Sequence, residues 1–398
     1  MALPQETARA TGPGRGEVLA AIVMGGLGVT QVVAMPLLAT LIAGAFEVEG
    51  AGSGLVGLAN LLGTALGSLV VTVWLKRLPF RLTAILSALL ACTAQLGVAF
   101  MPGFNGAVLM EALSGVGAGV LLALSAAIVG ASANPDRGFA FILTLQAIVA
   151  VMVLLAIPAL GWGASFLPVA AFLAGLQALL IPVSFALGRN PMPATPPGVA
   201  EAEASAFHPA VLLKAAAYFI FSAAVGVLWV FSGVLGSMAG LADGLIGQAL
   251  AVGNIAAIAG SLLAAIITSR FGRIGPVLAV CLTLALSVML LTAHMGLVRF
   301  YAASSLFLFA WGGGLPLLMG IVAEVDPTER ITSLLPVLAF AGMGVGPALV
   351  SLVPAAHGLF QQVSLTTMGL TGLAFALFAV AHIRWRVPVP GQTFEGGM

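Results

Sequence analysis

The chain has 398 residues, of which 61% are hydrophobic and 7% charged, and its mean hydropathy is +1.17. A soluble domain carries about 25% charged residues, so a water-soluble fold is excluded and the class is polytopic membrane protein. The net charge of +1 identifies no partner, because the charges are segregated by loop.

Residues 1–16, with Arg9 and Arg15, read as a polar N-terminal tail. Glu6 and the spacing before the first apolar run are unlike a cleaved signal. Apolar runs follow at 18–45, 53–75, 80–101, 104–131, 139–160 and 164–187. Residues 188–208 are rich in Pro, Ala and Glu and read as a linker. Six further runs lie at 210–238, 243–269, 274–294, 298–323, 331–355 and 359–383. A tail from 384 to 398 holds Arg384, Arg386 and Pro390. Each run is long enough to cross a bilayer, which takes about 20 residues. The expected fold is therefore all-α, with twelve transmembrane helices in two six-helix bundles, 17–187 and 209–383.

Charge sets the orientation. With the N-terminus in the cytoplasm, 13 of the 14 Lys and Arg residues fall on the cytoplasmic side, leaving Arg299 outside. That asymmetry satisfies the positive-inside rule and places both termini in the cytoplasm.

The fourth run carries one ionisable residue, Glu111, followed by Gly115, Gly117 and Gly119. An acid inside a membrane segment is costly and faces a protein interior or a wet cavity. Gly115 and Gly119 form a small-xxx-small face on which another helix packs closely. The halves also echo each other: Gly67-Ser68-Leu69 and Gly260-Ser261-Leu262 each stand about two turns before a basic loop. Paired halves of this kind are a transporter pattern. Cys92 and Cys281 lie in separate apolar runs and read as small hydrophobes.

Helix count, halves and linker resemble the major facilitator superfamily over residues 18–383, in its drug or metabolite efflux branch. The family's loop between the second and third helices reads Gly-x-x-x-Asp-Arg-x-Gly-Arg. Here the first half offers Lys76, Arg77 and Arg81 without the acid or the glycine. The second half has Arg270-Phe271-Gly272-Arg273, which matches Arg-x-Gly-Arg. The resemblance makes these residues part of a gating latch, with Glu324 meeting Arg270 or Arg273 in one state; the alternative is that the arginines only set topology. The family often has Arg-x-x-x-Gly-x-Gly in its fourth helix, and Glu111 stands where the Arg would be. Because desolvation favours the neutral form of a carboxyl, an acid there can carry a proton. The alternative is a structural acid held across helices. Pro158, near Gly161, resembles the bend of proton-coupled exporters, and Pro347 resembles the same bend in the second half.

The remaining intramembrane polar residues are Gln31, Asn60, Gln95, Gln146, Gln177, Gln248 and Asn254. In the family, helices 1, 4, 7 and 10 line the cavity, with 2, 5, 8 and 11 beside them. That resemblance makes Gln31, Glu111, Gln146, Trp229, Asn254 and Trp311 lining candidates; the amides serve equally as glue between helices. Trp311 precedes Gly312-Gly313-Gly314 and Pro316, a run expected to bend as a flexible gate.

There is no phosphate loop, zinc-ligand spacing or nucleophile elbow. No enzyme activity, cofactor, metal or nucleic-acid partner is expected. The reading is a monomeric secondary transporter of the inner membrane that exports a small organic substrate in exchange for protons. The alternatives are an importer of a small metabolite and a non-transporting sensor or assembly factor.

Overall fold

The computed structural model describes residues 13–48, 51–160, 166–188, 208–326 and 330–385. Linker residues 189–207 and tail residues 1–12 and 386–398 lie outside the described residues, as do the side chains of Lys76 and Arg270; the first helix already begins at Arg15, inside the expected tail. The first span is broken into α1 (Arg15–Leu27) and α2 (Thr30–Ala45). Spans two to five are α3 (Ala51–Trp74), α4 (Phe80–Gly97), α5 (Phe104–Gly130) and α6 (Pro135–Ala159). The sixth is again in two parts, α7 (Leu167–Ala178) and α8 (Leu180–Ser184). The remaining six are α9 (Pro209–Met238), α10 (Asp243–Phe271), α11 (Ile274–Leu290), α12 (Leu297–Ala323), α13 (Arg330–Leu349) and α14 (Gly358–Arg384).

Eleven of these spans are long and apolar enough to cross a membrane, and α11 is a shorter apolar helix. The 17 residues of α11 reach about 25 Å at 1.5 Å per residue, the short end of what a bilayer needs. The chain is an all-α membrane protein, as its composition requires, because only helices or closed barrels satisfy their backbone groups in lipid. Leucines such as Leu66, Leu143 and Leu262 point outward and form an apolar surface suited to lipid.

Lipid supplies no hydrophobic drive between helices, so close backbone packing has to hold the bundle. The tightest pairs are α3 with α5 and α10 with α12. On α5, a Cβ at Gly115 would collide with the carbonyl oxygen of Asn60, and one at Gly119 with that of Thr64. These two glycines let α3 and α5 touch backbone to backbone.

A step of 193 residues runs through the fold. It carries Phe104 to Leu297 and Gly130 to Ala323, the two ends of α5 and α12. The same step carries the contact of Gly119 with Thr64 onto that of Gly312 with Ala257. It carries the contact of Gly67 with Val116 onto that of Gly260 with Phe309. The Gly-Ser-Leu triplets therefore mark equal places in two helix pairs built alike.

With inner and outer named by the charge asymmetry, the contacts between the first six spans and the last six gather at the outer end. Gly54 of α3 meets Phe231 and the Pro347 carbonyl, while Gly247 of α10 meets the Leu154 carbonyl and Pro158. These two contacts are again related by the 193-residue step. A Cβ on Gly233 of α9 would strike the Pro36 carbonyl of α2.

The glycine run of α12 does not interrupt the helix. The helix is continuous from Leu297 to Ala323 through Gly312-Gly313-Gly314 and Pro316. The glycines make room for neighbours instead, since Gly312 faces the Ala257 backbone and Gly314 the Phe221 ring. The break falls in α1–α2, after Gly25, Gly26 and Gly28, poor helix formers that other spans then brace.

Candidate functional site: a buried acid on an amide chain

Glu111 lies on the face of α5 that points into the first six spans and is fully buried. Both carboxyl oxygens accept hydrogen bonds from neutral amides. Asn60 of α3 donates to Oε2 at 2.9 Å, and Gln95 of α4 donates to Oε1 at 3.3 Å. No cation is among these partners.

The network continues from there. Ser114, one turn after Glu111, donates to Gln95 Oε1 at 3.4 Å. Gln31 of α2 donates to Ser114 Oγ at 2.7 Å. Gln177 of α7 donates to Gln31 Oε1 at 3.0 Å and to the Leu27 carbonyl at 3.1 Å. Every link donates toward Glu111, so the chain of amides ends on its carboxyl. Its far end rests on the break between α1 and α2, where Gln146 also donates to the Gly25 carbonyl at 2.9 Å. Two acceptors in this buried network, Asn60 Oδ1 and Gln177 Oε1, have no partner. A network with spare acceptors has room for one more proton.

The 193-residue step places Ser304 opposite Glu111 and Gly253 opposite Asn60 in the second half. The acid and its amide belong to one half only. The second half carries rings instead: Trp229 and Trp311 lie 5.0 Å apart between centroids, and Phe307 stacks on Trp311 at 5.9 Å.

Gln31, Glu111 and Gln146 converge on the acid and the helix break. Trp229 is buried and donates to the Val32 carbonyl of α2 at 2.7 Å, so it sits in a contact between halves. Trp311 is half-buried beside it. Asn254 donates to its own helix, at the Leu250 carbonyl, 2.9 Å away. Asn60, Gln95 and Gln177 are polar residues whose partners only the fold reveals. Ser114 has no signal beyond its place three residues after Glu111.

At the inner end, Arg273 forms an ion pair with Glu324, with Nε donating to Oε2 at 3.1 Å. Gly272 takes a positive φ of 67°, the turn that ends α10. Arg81 donates to the Leu187 carbonyl at 2.8 Å and closes the end of the sixth span. Arg77 is exposed. Pro158 and Pro347 lie in the last turns of α6 and α13, where the halves touch.

No family model matches the sequence, and no curated protein does. Solved structures match its fold. A bacterial homologue of the human lysosomal transporter Spinster, inward-facing and unoccupied, aligns with TM-score 0.70 at 13% identity, over 93% of this chain and 96% of that one. The nucleoside transporter NupG aligns with TM-score 0.68 at 14% identity, over 93% and 99%. The POT family transporter PepTSo aligns with TM-score 0.72 at 11% identity, over 93% and 98%. The chain thus has the fold of the major-facilitator-type transporters.

Proposed function

We propose that this protein is a secondary active transporter of the inner membrane, with both termini cytoplasmic, that couples a proton at Glu111 to the export of a small organic molecule. Residues 17–187 and 209–383 act as the two moving halves, joined by the linker 188–208. They rock about the central contacts by alternating access. The closed outer end supports reading this state as inward-facing, with Arg77, Arg81, Arg270, Gly272, Arg273 and Glu324 proposed to act at the inner gate.

One observation carries the reading. Glu111 is a fully buried carboxyl held by neutral amides, and its network reaches the break in the first span. Without a cationic partner, burial costs the ionised acid much and the neutral acid little. Proton uptake turns one oxygen of Glu111 from acceptor to donor: a proton on Oε2 is met by a flip of Asn60 alone, and one on Oε1 reverses Gln95 and passes the change through Ser114 and Gln31 toward Gln177. The carbonyls at the break then lose or gain a donor, and the break is where the first span can flex.

The substrate class follows from charge. No Lys or Arg reaches mid-depth, which disfavours an anion. A neutral, hydrophobic or cationic molecule fits the ring cluster of Trp229, Phe307 and Trp311, since such rings accept apolar faces and cations. The test is transport in proteoliposomes with an imposed pH gradient, against a panel of aromatic and cationic compounds. Flux driven by the gradient supports the reading, and its sign separates export from import. Absence of flux across the whole panel favours a sensor.

A further inference from the structure

We infer that the break in the first span binds an ordered water between the Val32 N–H and Gln177 Oε1, and that Gln146 and Gln177 hold the break open for it. In an unbroken helix Val29 would donate to the Gly25 carbonyl and Val32 to that of Gly28, each four residues back. Those carbonyls accept instead from side chains of other spans, Gly25 from Gln146 at 2.9 Å and Gly28 from Gln177 at 3.4 Å. The backbone bonds that remain beside the break run from Gly28 N–H to the Met24 carbonyl and from Val33 N–H to that of Val29. Among the described residues, the N–H groups of Val29 and Val32 have no acceptor. Both valines are buried, at 4% and 5% exposure. No side chain caps the start of α2, because the Thr30 hydroxyl donates to the Leu27 carbonyl.

An unpaired acceptor lies at the same break. Gln177 is fully buried, and its Nε2 meets three acceptors, the carbonyls of Leu27 and Gly28 and Gln31 Oε1. Those partners fix which end of the amide is the oxygen, and that oxygen, Oε1, has no partner. A buried polar group left unpaired costs about 1–3 kcal/mol, and one molecule that both accepts and donates relieves the N–H and the oxygen together. Water does so, and buried waters take two to four such partners. Ordered water is also one of the means by which a membrane helix is interrupted without leaving its freed backbone groups bare. An anion would be repelled by Gln177 Oε1 and a cation by the N–H groups, so the pair selects a neutral molecule. Val29 calls for a second water on the side of half-buried Gln146. Val32 also accepts the Trp229 indole through its carbonyl, so the hydrated turn stands beside the contact between the halves. The site is independent of whether Glu111 carries a proton.

The test is amide hydrogen exchange on the full chain in mild detergent, resolved to single residues, together with an experimental density map that shows ordered waters. In the wild type, Val29 and Val32 are expected to exchange about tenfold or more faster than Leu37 and Leu38 of the same span. The map is expected to show a peak about 2.8 Å from Gln177 Oε1. Gln177→Leu frees the Gly28 carbonyl for Val32, and Gln146→Leu frees the Gly25 carbonyl for Val29. Each substitution is expected to slow exchange at its own valine about tenfold, even where the unfolding temperature falls. A substitution that only destabilised the bundle would speed that exchange. Wild-type exchange at Val29 and Val32 as slow as at Leu37 would overturn the site, and so would a map of that quality without the peak. Exchange at the two valines that is unchanged or faster in the folded variants would overturn the role given to the glutamines.

Discussion

Pro36 and Trp229 occupy matching places in the first and seventh spans, 193 residues apart, and they are joined through one carbonyl. Pro36 has no N–H, so the Val32 carbonyl one turn earlier has no donor in its own helix. Trp229 supplies it, with its indole N–H 2.7 Å away. A defect of one half is thus satisfied by a side chain of the other, beside the place where Gly233 packs against the Pro36 carbonyl.

Trp229→Phe keeps the ring and removes the donor. A hydrogen bond of this kind contributes about 1 kcal/mol, so the closed outer end should lose roughly fivefold in population. Electron spin resonance distances between labels on the outer loops measure this directly. An unchanged distance distribution would show that the bond does not hold the halves together.

Helix contact at Gly115 and Gly119 should be intolerant of any side chain. Gly115→Leu and Gly119→Leu must push α3 from α5, because a Cβ already collides with the Asn60 or Thr64 carbonyl. The overpacking cost is about 1–3 kcal/mol or more, and folded yield should drop in size-exclusion profiles. Gly130→Ala and Gly175→Ala meet nothing within 4 Å and should behave as wild type.

Removing the far end of the amide chain tests whether it is one network. Gln177→Leu leaves Gln31 Oε1 without its donor, while the Leu27 carbonyl keeps the Thr30 hydroxyl. The expected loss is about 1–3 kcal/mol for a buried group left unsatisfied, read as a lower unfolding temperature. Gln248→Leu, at an exposed amide, should change little.

The ion pair of Arg273 with Glu324 is partly solvated, with side-chain exposures of 27% and 47%. Exposed pairs contribute about 0–1 kcal/mol. Glu324→Gln should therefore leave thermal stability within that range. A change in transport rate without a change in stability would assign the pair to gating.

The positions of the spans are legible in the sequence because lipid demands long apolar helices, and each expected run lies within a few residues of a helix or helix pair. Burial of Glu111 is legible for the same reason, since an acid at that depth has to be hidden. The break after Leu27 is less so. The helix continues through Pro36 and breaks instead at its glycines, where Gln146 and Gln177 from distant spans take up the carbonyls. Those partners are set by packing between helices about 120 and 150 residues away. Trp229 reads as a cavity residue by its span, and nothing in the sequence signals that its indole N–H also donates to a backbone carbonyl of the first half. Pro316 and the glycines before it read as a hinge, and α12 runs through them as one continuous helix whose glycines face neighbours the sequence does not show.

The central claim is that Glu111 carries the coupled proton, and Glu111→Gln tests it most directly. The substitution keeps the shape, removes the ionisable group and, with an NH2 donor in place of one accepting oxygen, mimics the protonated acid. The measurement is the pH dependence of outer-end opening and of gradient-driven flux in proteoliposomes, wild type against variant. A folded variant that is insensitive to pH in both readouts is the predicted result. A variant that retains the wild-type pH response would contradict the account.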